Sequence, residues 1–189
     1  MALTPMTLTA RLIKRHHPDA KVVFIGPCAA KKLEAMRTSV RSDVDFVLTF
    51  EEMAGIFEAK HLDVEAMEED PDGVNDASAD GRNFAVAGGV AKSVVDVIHQ
   101  QFPDKEIKVV NAEGLRECRK MMTLAKAGKY NGYLLEGMAC PGGCVAGAGT
   151  IQPVKQSAVS VENFKSQAAE KSTTASPFLD RLREVEEKD

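Results

Sequence analysis

The sequence predicts an α/β fold in which a parallel sheet of four or five strands carries helices on both faces. Short apolar runs recur at Lys21–Ile25, Asp43–Leu48, Ile107–Val110 and Gly132–Glu136. The first has no alternation, as suits a strand buried on both faces of a covered parallel sheet. Stretches with a helical apolar period separate the runs. Strand and helix therefore alternate from Lys21 to Glu136, the pattern of parallel strands joined by crossover helices. At 189 residues the chain has the length of one domain, or of one domain with a short appendage.

Each element has a local reason. Thr4-Pro5 starts a helix, with threonine to cap it and proline in its first turn, and Leu8, Leu12 and Ile13 form its stripe as far as Lys14. Pro18-Asp19-Ala20 turns the chain, around His16-His17, into Lys21–Ile25, which Gly26-Pro27 ends. A brief helix-friendly stretch runs from Ala29 to Met36. After the second strand, Thr49 with Glu51-Glu52 caps a helix toward Ala59, with Met53, Ile56 and Phe57 on one side. From His61 to Arg82 the period disappears and acidic residues crowd together, as in a polar surface loop. Gly88-Gly89 then opens a helix whose stripe is Val90, Val94, Val97, Ile98 and Phe102, stopped before Pro103. The third strand leads to a helix over Glu113–Lys126, its inner face Leu115, Cys118, Met122 and Ala125, with Gly128 beyond its end. Val161–Ala169 and Pro177–Glu187 read as polar helices packed loosely outside, so the domain is expected over residues 1–153 and a helical tail over 154–189.

Composition excludes several functions. A net charge of −4, no tryptophan and two tyrosines offer neither the basic face nor the stacking platform that nucleic acid requires. No apolar run approaches the roughly 20 residues of a membrane span, and Met1–Pro5 has no signal-peptide character. The expected setting is the cytoplasm, without nucleic-acid or membrane partners. In a reducing compartment four cysteines are ligands, catalysts or buried hydrophobes before they are disulfides. His61 and His99 stand alone, and no histidine has the spacing of a zinc ligand.

Three of the four cysteines lie just past strand candidates: Cys28 after Ile25, and Cys140 and Cys144 after Glu136. In parallel sheets, ligands gather at the carboxyl ends of the strands. Cys28 precedes a helix start and the pair Lys31-Lys32, a setting that favours the metal-binding thiolate. Taken alone, Cys28 reads equally well as a small buried hydrophobe. Cys140 and Cys144 are spaced i, i+4 around Pro141-Gly142-Gly143, so that on one helical turn they point the same way. The two glycines let backbone approach closely and offer N–H groups to an anionic group. Thiolates select iron–sulfur clusters or zinc over hard cations, and neither zinc-finger nor ferredoxin spacing is present. Cys118, on an apolar helix stripe, reads as a buried hydrophobe.

Pro27-Cys28-Ala29-Ala30-Lys31-Lys32 followed by Glu34-Ala35, and Glu136-Gly137-Met138-Ala139-Cys140-Pro141-Gly142-Gly143-Cys144, resemble the second and third cysteine motifs of iron-only (FeFe) hydrogenases. The likeness runs from about Thr4 to Pro153. It implies that Cys28, Cys140 and Cys144 supply three of four ligands to a 4Fe–4S cluster, with Cys144 bridging to a di-iron subsite that carries CO and cyanide. By the same likeness Pro27 belongs to the cofactor-binding motif, Lys31 corresponds to a cyanide-contacting lysine and Met138 to a methionine lining the di-iron pocket. The reaction implied is reversible reduction of protons to hydrogen, with electrons from a ferredoxin-like donor. Two departures mark a divergent member: Gly26 stands where many have methionine, and Thr150-Ile151 lengthen the stretch before Gln152-Pro153. The family's first motif, with the fourth cluster cysteine, has no counterpart here. The resemblance therefore implies the C-terminal half of a catalytic domain, inactive without its N-terminal half, whether cloned or naturally truncated. A non-catalytic iron–sulfur binding or assembly module is the alternative, and a plain structural domain the third reading.

Overall fold

The computed structural model describes residues 3–37, 39, 42–68, 70 and 76–181. The chain divides into two compact units. One comprises Met1–Gly73, Ala148–Ile151 and Phe178–Asp189; the other comprises Val74–Gly147 and Gln152–Pro177. This division does not follow a boundary at residue 153.

In the first unit, α1 (Pro5–His16) is capped by Thr4, whose hydroxyl accepts the Thr7 N–H, and β1 (Val23–Ile25) follows. The chain continues through α2 (Ala30–Met36), β2 (Phe46–Leu48) and α3 (Phe50–Ala59). β1 and β2 run parallel with Val23 opposite Phe46 and Ile25 opposite Leu48. The ladder is extended at both ends, by the Asp45 N–H to the Val22 carbonyl at 2.9 Å and the Gly26 N–H to the Leu48 carbonyl at 3.0 Å. α3 starts on the expected capping box: Thr49 N–H donates to Glu52 Oε2 at 2.8 Å, and Glu52 N–H donates to Thr49 Oγ1 at 3.2 Å. Residues 148–151 return to this unit. Gly149 N–H donates to the Pro27 carbonyl at 3.0 Å and Glu51 N–H donates to the Gly149 carbonyl at 3.2 Å.

Two expectations are corrected here. Strand β1 is not buried on both faces: Val23 is 44% exposed, Ile25 45%, and Phe46 across the ladder 60%. Among the described residues the side of the sheet that carries Val23, Ile25 and Phe46 is left largely uncovered. The buried face of α1 is Met6, Thr7 and Ala10 rather than Leu8, Leu12 and Ile13. The small residues there allow close approach, and the larger ones flank it.

In the second unit, α4 (Ala79–Arg82) and a single 3-10 turn over Asn83–Ala85 lead to α5 (Gly89–Gln101). β3 (Lys108–Glu113), α6 (Leu115–Lys126) and β4 (Tyr133–Met138) form one parallel crossover, and α7 (Val154–Ser166) follows. β3 and β4 pair in register from Lys108 opposite Tyr133 to Glu113 opposite Met138. The described residues thus hold four strands in two parallel pairs, each within its own unit.

The stretch expected as loop ends in buried structure. Ser78, Asp80 and Arg82 are all buried, and the Arg82 guanidinium donates to the Ala77 carbonyl at 3.0 Å and the Phe164 carbonyl at 2.7 Å. It also stacks 3.8 Å over the Phe164 ring. Within the second unit the stretch around residues 164–171 is therefore bonded to α4 rather than loosely attached. Ala79 N–H donates to the Glu170 carbonyl at 2.8 Å and Asp80 N–H to the Lys171 carbonyl at 3.1 Å. The expected helix at Pro177–Glu187 begins with residues 179–181, and its remainder lies outside the described residues. On α6 the inward residue is Met121 with Cys118 beside it, while Leu115 is 75% exposed and Met122 60%. Two strands are too narrow to cover the wider stripe. On α5 Val94 is exposed, as is Phe102 just past its end, and the buried positions are Gly89, Ala91 and Ser93.

Candidate functional site

Each cysteine motif lies at the carboxyl end of its own pair of strands. Cys28 lies three residues past the end of β1 and Cys140 two past the end of β4. The four cysteines are thiols rather than disulfides; Cys28, Cys118 and Cys140 are half-buried and Cys144 is exposed.

In the first unit, Gly26 ends the ladder and Pro27 holds its carbonyl toward Gly149. Cys28 closes a turn through its carbonyl, which accepts the Lys31 N–H at 3.2 Å. α2 has only seven residues, so its terminus offers Cys28 no extended helix dipole. The two lysines expected to act on the thiol are drawn to carboxylates instead. Lys31 Nζ lies 2.5 Å from Glu34 Oε2, and Lys32 Nζ lies 2.5 Å from Glu52 Oε1. Glu34 also accepts hydroxyl hydrogen bonds from Thr4 and Thr7. Burial pushes the Glu34 carboxyl up, but the Lys31 and Thr4 hydrogen bonds outweigh it and hold the group below its ordinary value. The Lys32 hydrogen bond, followed by the Thr49 N–H, does the same for Glu52. Lys31 is thus a buttressed cation on the turn after Cys28.

In the second unit, Cys140 and Cys144 do not share a helical turn. Gly143 N–H donates to the Cys140 carbonyl at 3.0 Å, closing a tight turn, and Gly142 and Gly143 take φ of 98° and 94°. Residues other than glycine are strained there. Cys144 then opens a 3-10 turn, Cys144–Ala146. Gly143 is further dictated by packing. A Cβ on it would sit 2.5 Å from the Ala87 nitrogen and 2.8 Å from the Ala85 carbonyl oxygen. The expected close approach of backbone is real, and the surface approached is residues 85–87. Gly142 N–H is not left open for a ligand, since it donates to Glu113 Oε2 at 2.6 Å.

The base of this turn is held from β3 and α6. Gly114 N–H donates to the Met138 carbonyl at 2.8 Å, and the Cys118 thiol lies 3.5 Å from the carbonyl oxygens of Ala112 and Met138. Met138 itself ends β4 half-buried. Upstream, the buried Glu136 carboxylate accepts the N–H groups of Gly88 and Ala91, the latter at 2.9 Å, and so caps α5. The contacts of Glu113, Glu136 and Gly149 are not foreseen from the sequence. A glutamate three residues past a strand start has no motif of its own, and its partner lies far along the chain.

The pattern of the family described as "Iron only hydrogenase large subunit, C-terminal domain" matches residues 1–148. The chain belongs to that family. It is 30% identical over 183 residues to the periplasmic Fe hydrogenase large subunit of Nitratidesulfovibrio vulgaris, with 78% of this chain and 42% of that protein covered. It is 26% identical to the nuclear prelamin A recognition factor of Xenopus laevis, over 80% of this chain and 43% of that one. The chain therefore spans about two fifths of the length of these curated relatives. Among solved structures, an FeFe-hydrogenase studied for oxygen inactivation superposes with a TM-score of 0.70 at 18% identity, covering 95% of this chain and 62% of that one. An FeFe-hydrogenase of Chlamydomonas reinhardtii gives 0.67 at 19% identity, covering 97% and 64%. These structures share the fold. The first of these structures is described by its H-cluster with a 2Fe subcluster; in the present chain each cysteine motif places thiols, which are soft ligands, on a short turn past a strand end. Cys140 and Cys144 bracket one tight turn of the second unit while Cys28 belongs to the first, and no group of three or more His, Cys, Asp or Glu is gathered as for a metal ion among the described residues. None of the described helices is long and apolar enough to cross a membrane.

Proposed function

We propose that this chain provides the C-terminal half of an iron-only hydrogenase catalytic domain and is inactive alone. Cys28, Cys140 and Cys144 would hold three corners of a 4Fe–4S cluster, Cys144 also facing the di-iron subsite with its CO and cyanide ligands. When bound, that group supplies the electron transfer and the reduction of protons to hydrogen. The protein's own part is to orient. Pro27 fixes the Cys28 turn, Glu34 holds Lys31 as a positioned cation and donor, and Met138 offers a soft apolar wall. The observation carrying this reading is the segment between Cys140 and Cys144, whose two glycines have positive φ, whose Gly143 lies against the backbone of residues 85–87, and whose thiols carry no disulfide. A cubane takes four thiolates, and the motifs supply three.

Partners follow from the same reading. The N-terminal half of the catalytic domain would bring the fourth ligand, and a ferredoxin-like donor the electrons. Val23, Ile25 and Phe46 leave one face of the first unit's sheet open for such a half. Relatives named for prelamin A recognition rather than as hydrogenases keep a second reading in play, a non-catalytic iron–sulfur binding or assembly module. Anaerobic reconstitution separates the two. The chain is loaded with iron and sulfide, given di-iron precursor, and assayed for hydrogen evolution alone and with an N-terminal half restored. The expected result is a labile cluster without turnover for the chain, and turnover with the restored half that Cys144→Ala abolishes. Turnover by the chain alone would refute the half-domain reading; a stable cluster with no turnover in either case would favour the module.

A further inference from the structure

We propose that Glu113 is a positioning residue for the metal-binding cysteine pair, holding the Cys140–Cys144 turn in its ligating shape before any metal arrives. The inference rests on the thiolate-site reading above. Three observations carry it. Glu113 is the last residue of β3, directly opposite Met138 in the register, so its backbone is fixed by the ladder. Its carboxylate accepts the Gly142 N–H at 2.6 Å, the one amide between the cysteines that the turn itself leaves pointing outward. Gly142 has φ of 98°, a conformation that glycine alone does not select. A freely rotating glycine needs an external partner to stay there. The Ala87 N–H, which donates to the Gly142 carbonyl at 3.2 Å, fixes the other side of the same residue. Glu113 and Ala87 therefore grip Gly142 from both sides and fix the backbone between the two thiols. Groups behind a ligand typically change metal affinity about 10- to 100-fold when removed.

The test uses the full chain, metal-free and reduced, titrated with Cd2+ and followed by the thiolate-to-metal absorption band. Cys144→Ala serves as the control that assigns the band to the pair. Glu113→Ala is expected to weaken Cd2+ binding about tenfold or more. Glu113→Gln, whose amide oxygen still accepts the Gly142 N–H, is expected to restore it to within about threefold of the parent. Thermal unfolding of the metal-free variants should stay close to that of the parent, which separates positioning from general stability. Unchanged affinity in Glu113→Ala, or a Glu113→Gln as weak as Glu113→Ala, overturns the proposal and leaves the thiolate site standing. A parent chain whose Cd2+ band is unaffected by Cys144→Ala overturns both.

Discussion

At the scale of single residues, the second motif is dictated more by backbone contact than by its cysteines. Gly143 combines a left-handed φ with a Cβ position already occupied by residues 85–87. Gly143→Ala is expected to destabilise the chain by about 2–4 kcal/mol, since strain and overlap add; urea denaturation measures it, and a change below about 0.5 kcal/mol would contradict the packing described. Glu136 illustrates the opposite case, a buried charge satisfied by two helix-start N–H groups. Glu136→Ala leaves both orphaned and is expected to cost roughly 2–3 kcal/mol. Glu136→Gln, which keeps an acceptor, should cost less than half of that. Nothing in the local pattern announces either contact, because Glu136 meets residues some 45 positions away, and a sequence read in windows does not see such pairs.

At the scale of elements, helix starts were legible because their causes are local: Thr4 caps α1, and Thr49 with Glu52 completes a box on α3. Strand positions were legible from apolar runs, and all four lie within or next to the expected stretches. What failed was the facing of the elements. Leu115 and Met122 satisfy a helical period, yet the sheet below α6 is two strands wide and covers only the strip around Cys118 and Met121. Periodicity tells which residues share a face; the width of the neighbour decides how much of that face is buried. In the same way the lysines after Cys28 were legible as charge but not as partners of Glu34 and Glu52. One electrostatic link between elements is testable by pH. Asp45, just before β2, accepts from Lys14 of α1 at 2.9 Å and from the Val22 N–H at 2.8 Å. The Lys14 hydrogen bond and then the Val22 N–H hold its carboxyl at about 2, against an ordinary 3.8. As the pH falls, the unfolded chain takes up the proton first. The stability this group contributes is complete above its ordinary value and is lost as pH falls toward its folded one. Asp45→Asn should therefore lower the urea midpoint at pH about 6 and flatten its fall between pH about 4 and 2. Equal acid sensitivity in the variant and the parent would show the link to be inert.

At the scale of the whole molecule, the open face of the β1–β2 sheet bears on partnership. Val23 and Phe46 face each other across the ladder and remain exposed. Phe46→Ser is expected to change the stability of this chain by no more than about 0.5 kcal/mol, as for other exposed positions, while weakening its association with a restored N-terminal half. Binding measured by calorimetry with and without the substitution decides it; undiminished affinity would place the partner elsewhere. The return of residues 148–151 to the first unit, where Gly149 bonds to Pro27, has a consequence in the order of synthesis. A ribosome delivers the Cys28 turn early, but the segment that ties down Pro27 emerges only after Cys140 and Cys144 have both been made. The earliest cysteine therefore waits in an unfinished turn, and its loop is locked only once every other thiol of the two motifs is already in the chain.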